Sequence, residues 1–114
     1  MLKFIGRGSA FNPSLGNNSA YFKNNDNKEM FLIDCGGSIF GEIIKNDILK
    51  NVEKLNIFIT HTHTDHIGSL GDLILYCHYV LNIKPVIYYP NKNSLSTFLN
   101  IAGVDKGFYK IFFR

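Results

Sequence analysis

Two hydrophobic periods alternate along the chain. Leu2 to Ile5 is a short apolar run ended by Gly6-Arg7-Gly8-Ser9, the pattern of a strand entering a turn. Asn12-Pro13-Ser14 and Gly16-Asn17-Asn18-Ser19 make a polar, turn-rich loop. Ala20 to Phe22 and Met30 to Asp34 then flank the solvated stretch Lys23 to Glu29, which predicts an antiparallel pair. After Gly36-Gly37 the period lengthens: Phe40, Ile43, Ile44 and Ile48 recur at helical spacing, with Glu42, Lys45 and Asp47 on the other side. Leu55 to Thr60 is short and apolar, as a buried strand is. From Ser69 to Asn82, Leu70, Leu73, Ile74, Cys77 and Leu81 share a helical face. Pro85 to Tyr89 reads as a strand, Ser94 to Ala102 as a helix closed by Gly103, and Tyr109 to Phe113 as the start of a last strand. Strands alternating with helices after a β-rich start define an α/β chain.

Size and composition narrow this further. The 114 residues, 46% hydrophobic, suffice for one core. Lys and Arg outnumber Asp and Glu by 12 to 9 without a dense basic run, so no extended nucleic-acid surface is evident, while a small anionic substrate is permitted. Cys35 and Cys77 each sit in apolar surroundings, which fits a reducing cytosol better than a disulfide framework. No stretch approaches the roughly 18 apolar residues of a membrane span, and the start lacks the pattern of an export signal. A cytoplasmic protein is expected.

The chemistry concentrates in one place. Three of the four histidines and one aspartate fall within His61-Thr62-His63-Thr64-Asp65-His66, where an apolar strand gives way to a helix. In an extended segment alternate side chains share a face, so His61 and His63 can point toward one ion. Asp65 and His66 turn at the start of the next helix and can reach a second. Imidazole nitrogen and carboxylate oxygen suit zinc, and also manganese or iron. The plainer alternative is a polar turn in which Asp65 caps the helix, and Asp65 can serve both purposes.

This HxHxDH string resembles the signature of the metallo-β-lactamase superfamily. The similarity extends to LKFIGRGSAFNPSLGNNSAYF, FLIDCGG, NIFITHTHTDHIGSL and PVIYYP, in the order and spacing of ribonuclease Z-like members. Within that branch the chain looks like phage and bacterial cyclic-nucleotide phosphodiesterases of the anti-Pycsar type. The resemblance implies an αββα sandwich of which residues 1–114 form the N-terminal half, a mixed sheet with helices on one face. It also implies that His61 and His63 bind one metal and Asp65 and His66 the other, two divalent ions in all, with zinc preferred. A hydroxide bridging them would attack a small phosphodiester, and Asp65 would help orient it as a catalytic residue. Asp34 resembles the family's acid behind the ligand loop, although an Asp before Cys-Gly-Gly equally suits a turn. Substrate-binding residues stay unassigned.

The family pattern also requires a further histidine on each ion and a bridging aspartate, all from the later half of the fold. His78 belongs to the helix after the loop, and Asp72 and Asp105 follow no long apolar strand. Three expectations remain open: a fragment, a natural truncation, or completion by another chain, whether a homodimer partner or a separate C-terminal half. The functional expectation is a metal-dependent phosphodiesterase acting on a cyclic nucleotide. Its alternatives are a non-catalytic metal-binding remnant and a tRNA 3′-processing endonuclease. Arg7 reads as a solvated side chain near the site mouth, and Cys35 as buried rather than nucleophilic.

Overall fold

A computed structural model describes residues 2–6 and 16–112. The expectations for Arg7, Gly8-Ser9, Asn12-Pro13-Ser14 and Phe113 fall outside those residues. The described strands are β1 (Lys3–Gly6), β2 (Ser19–Lys23), β3 (Glu29–Ile33), β4 (Lys54–Phe58), β5 (Val86–Tyr88) and β6 (Lys110–Phe112), joined in one sheet in sequence order. β1, β2 and β3 run antiparallel, whereas β3 through β6 are parallel. The change of mode follows from the connections. A short polar turn joins β2 to β3, and helical crossovers join the later strands, as parallel pairing requires.

The crossovers are α1 (Ile39–Lys45), then α2 (Thr64–Ile67) with α3 (Leu70–Tyr76), and α4 (Lys92–Ile101). Their apolar stripes cover one face of the sheet. Met30, Leu32, Leu55, Ile57, Ile87 and Ile111 point into that layer and meet Ile39, Ile43, Leu73, Ile74, Leu95 and Leu99. Burying one such aliphatic side chain contributes about 1.5–3 kcal/mol, so this layer is the single core.

The other face carries a different set. Because side chains alternate along a strand, Phe22, Phe31, Phe58, Tyr88 and Phe112 all point away from the helices, one from each of β2 to β6. Their rings form a continuous row with centroid separations of 4.7, 6.3, 4.7 and 5.6 Å. Phe22, Phe58 and Phe112 are 38–47% exposed. The mixed sheet with helices on one face is therefore as expected from the sequence, and its second face is open.

Two helices differ from expectation. Ile48 was expected to continue the first helix, but α1 ends at Lys45, where the Asn46 amide folds back onto the Glu42 carbonyl and Asp47 turns left-handed (φ 54°). Ile48 is still buried, from the turn. The helix expected from Ser69 to Asn82 is α-helical only to Tyr76 and widens to a π-helical turn over Cys77–Leu81, closed by Asn82 at φ 55°. No helix among the described residues is long and apolar enough to cross a membrane.

Candidate metal centre

The loop His61–His66 leaves the C-terminal end of β4, the most central part of the sheet, and is held from three sides. Backbone hydrogen bonds tie it to the segment after β3: the Cys35 N–H donates to the His66 carbonyl (2.7 Å), Gly37 N–H to Thr64 (3.2 Å) and Ser69 N–H to Cys35 (3.1 Å). Ser69 is a buried knot between the same segments. Its hydroxyl donates to the Gly36 carbonyl, accepts from the Phe40 N–H and lies 3.4 Å from Cys35 Sγ. From the β2 side, Ser19 Oγ donates to the carbonyls of Ile33 and Asp34, while Asn17 and Ser38 exchange a reciprocal pair of bonds.

Asp34 organises the interior of this bracket. It is 3% exposed and left-handed (φ 62°), a conformation that Asp tolerates better than most residues. Its carboxylate accepts from the Thr60 N–H (2.7 Å), from Thr60 Oγ1 (2.6 Å) and from His66 Nδ1 (2.6 Å). Those partners lie 26 and 32 residues away. The carboxylate is directed at the ligand loop and does not cap its own turn.

The donor groups converge as follows. Ligand atoms of His61, His63 and Asp65 lie within 4.8 Å of one another, and all three residues are open to solvent to some degree. The His61 ring sits 4.8 Å from that of His63 and 3.8 Å from that of His66. His66 stands outside the three-residue cluster, held by Asp34, with Nε2 3.2 Å from the Asp65 carboxylate. Contact of Nδ1 with Asp34 turns Nε2 toward the Asp65 carboxylate, so that both can face a shared cation. Hydrogen-bonded orientation of an imidazole by a buried carboxylate is how metal-ligating histidines are commonly aimed. The donor set fits a divalent metal.

The remaining candidates lie apart. His78 stacks on Phe108 at 3.6 Å in the π-helical turn. Asp105 accepts from the Gly107 N–H, and Asp72 is an exposed first-turn acid of α3. Cys35 is buried, and burial pushes its thiol up to about 12, an effect that the Ser69 hydrogen bond only partly offsets. It is no nucleophile. Thr60 and Ser69 were not singled out from sequence. Their one signal was position, a hydroxyl immediately before the loop and another three residues after it.

A bracketed His-rich loop at the carboxyl end of a mixed sheet is the plan of the metallo-β-lactamase fold. The chain superposes on human tRNase Z, short form, with a TM-score of 0.71 and 26% identity over 96% of this chain and 42% of that one. It also superposes on the metallo-beta-lactamase fold protein YhfI from Bacillus subtilis, with a TM-score of 0.71 at 18% identity, over 99% of this chain and 44% of that one. The family is more specific than the fold. Residues 1–99 match the model of the Anti-Pycsar protein Apyc1 family, and the chain belongs to it. The Anti-Pycsar protein Apyc1 of Bacillus phage BSP38 is 41% identical over 88 residues, 75% of this chain and 32% of that protein. The chain thus spans about a third of the length of such a relative.

Proposed function

We propose that this chain carries the metal-loop half of a metal-dependent phosphodiesterase whose substrate is a cyclic nucleotide or another small phosphodiester. The observation that carries this reading is the convergence of His61, His63 and Asp65 within 4.8 Å, backed by the Asp34 clasp on Thr60 and His66. His61, His63, Asp65 and His66 would hold the ions, zinc by preference and manganese or iron as alternatives, through three imidazole nitrogens and a carboxylate. Two divalent ions bound there would bring the pKa of water toward neutrality and stabilise both oxygens of an in-line displacement at phosphorus. The chain's own part is orientation. Asp34 fixes the His66 ring, Thr60 spans Asp34 and the imidazoles of His61 and His66 at 2.6 and 3.2 Å, and Asp65 would help orient the attacking water.

The loop supplies four protein donors, and among the described residues the one other histidine, His78, is stacked elsewhere. We therefore place the remaining ligands on a partner, either the C-terminal half of the fold or a second copy, in the cytoplasm. The test measures zinc by elemental analysis and hydrolysis of cyclic mononucleotides in the chain alone and in its complex with that half. Loss of both metal and turnover in His63→Ala or Asp65→Ala supports the mechanism; turnover surviving in either variant overturns it. Zinc without turnover in the complete assembly would favour a metal-binding remnant. Cleavage of precursor tRNA in place of cyclic nucleotides would favour a ribonuclease, a reading supported by the likeness to human tRNase Z.

A further inference from the structure

A cavity of about 470 Å³ opens between the first two strands and the turn that follows α1. Lys3 on β1 pairs with Tyr21 on β2, and Lys23 pairs with Met30, so Lys3, Tyr21 and Lys23 all face the helix side of the sheet. The opposite wall is the turn after α1, which contributes Asp47, Lys50 and Asn51. This is the far end of the sheet from the metal loop. The loop follows the last residue of β4, whereas Lys23 lies level with the first residues of that strand through Met30 and Leu55. Five residues of strand separate the two by about 15 Å.

Three lysines and one aspartate line this cavity. Among the described residues, none of Lys3, Lys23 and Lys50 forms an ion pair with an acid, although Lys28, in the turn between β2 and β3, does, with Glu53. Lys23 is the most enclosed of the three. Burial, and after it the charge of Lys3, lower its pKa from the ordinary lysine value, and Asp47 offsets this only in part. Lys3 and Lys50 are exposed and Lys23 is half-buried, and like charges gathered on the walls of one hollow favour an anion between them.

We infer that this cavity is an anion site, distinct from the metal loop, which takes a small phosphorylated ligand with more than one negative charge. A single carboxylate would satisfy one ammonium, whereas a polyphosphate group offers several oxygens to lysines approaching from two walls. Lysine recognises phosphate as a compact point charge. The volume falls within the range of small-ligand sites, about 300–1,000 Å³. Tyr21 and Asn51 add a ring edge and an amide. The inference is independent of the phosphodiesterase reading, because no metal ligand borders the cavity.

The probe is inorganic pyrophosphate, titrated into the full 114-residue chain in the presence of EDTA, so that the metal loop cannot retain it through an ion. Saturable one-to-one binding is expected, with the Lys23 side-chain NMR signals shifting as the ligand is added. Lys23→Gln and Lys50→Gln should each weaken binding about tenfold, as for loss of one charge-assisted contact. His61→Ala should leave binding unchanged. Lys50 is exposed in a turn, so its variant tests the site even where Lys23→Gln perturbs the strand. Three results each overturn the inference: no saturable binding, equal binding by the Lys50→Gln variant, or loss of binding in His61→Ala. A Lys23 signal that moves equally with sulfate at matched ionic strength would also overturn it, as general screening.

Discussion

The two faces of the sheet are built from the same strands and solve opposite problems. On β4, Ile57 is fully buried beneath the helices, while its neighbour Phe58 is 38% exposed on the other side. The covered face is aliphatic and branched, which interlocks with helix side chains at close range. The open face is aromatic and flat, and its rings stack on one another across the strands. Stacking shelters part of each ring without a partner layer, yet leaves a contiguous apolar stripe in water. Contiguous apolar stripes of this kind are typical of interaction surfaces. The first face holds the chain together; the second leaves its rings exposed among the described residues.

The largest contrast should be chemical. Burial pushes both Cys35 and Cys77, which lie within the covered layer, up to about 12. A displacement from 9 to about 12 suppresses thiolate about a thousandfold near neutral pH. A thiol reagent at pH 8 should label neither residue in the folded chain and both after unfolding; prompt labelling of the native protein would mean that the layer is loosely packed. Because the folded state favours the protonated thiols, this stabilisation is complete below about pH 9 and declines as pH rises toward 12. Urea midpoints measured from pH 8 to 11 should fall accordingly.

Next in size is truncation of the core. Ile57→Ala should cost about 2–5 kcal/mol in chemical denaturation, because the cavity left under the helices cannot refill. Asp34→Ala should follow at about 1–3 kcal/mol, since it strands the Thr60 N–H and the His66 ring, and it should lower zinc uptake as well. Equal zinc uptake would show that the clasp has no part in aiming the loop. The smallest effect on stability is expected at the open face. Phe58→Ser with Phe112→Ser should change stability of the isolated chain by under about 1 kcal/mol, yet reduce self-association in light scattering and abolish binding to a completing half. A large loss of stability there would erase the distinction between the faces.

The sequence made the loop legible because its chemistry is local. His61, His63, Asp65 and His66 are neighbours in the chain, and alternation along a strand places two of them together without further information. The covered core was legible for the same reason, since Leu70, Leu73, Ile74 and Cys77 repeat with the helix. Features that depend on register were not. Phe22, Phe31, Phe58, Tyr88 and Phe112 come from five strands, and nothing in their spacing aligns them until pairing is fixed. The lysine cavity is the same case, assembled from an edge strand, its neighbour and a distant turn. Asp34 stood between two readings because its partners lie across the sheet. The π-helical turn at Cys77–Leu81 keeps the apolar stripe of an ordinary helix, so periodicity did not reveal it.

Gly36 sets a different kind of limit. A Cβ built there would overlap the Asp65 carbonyl and press on the Asn17 side chain at 2.8 Å, because the segment after β3 and the ligand loop touch through bare backbone. The overlap is with main chain on both sides of the contact, so no rotamer change relieves it. Every missense codon at this position adds a Cβ. In a saturation library position 36 should therefore be as empty of survivors as His63, though for want of room and not of a ligand, and a gene under relaxed selection should record its decay at these two codons in different ways. Substitution at His63 should remove a proposed ligand from a loop that stays in place, whereas substitution at Gly36 should move the loop itself.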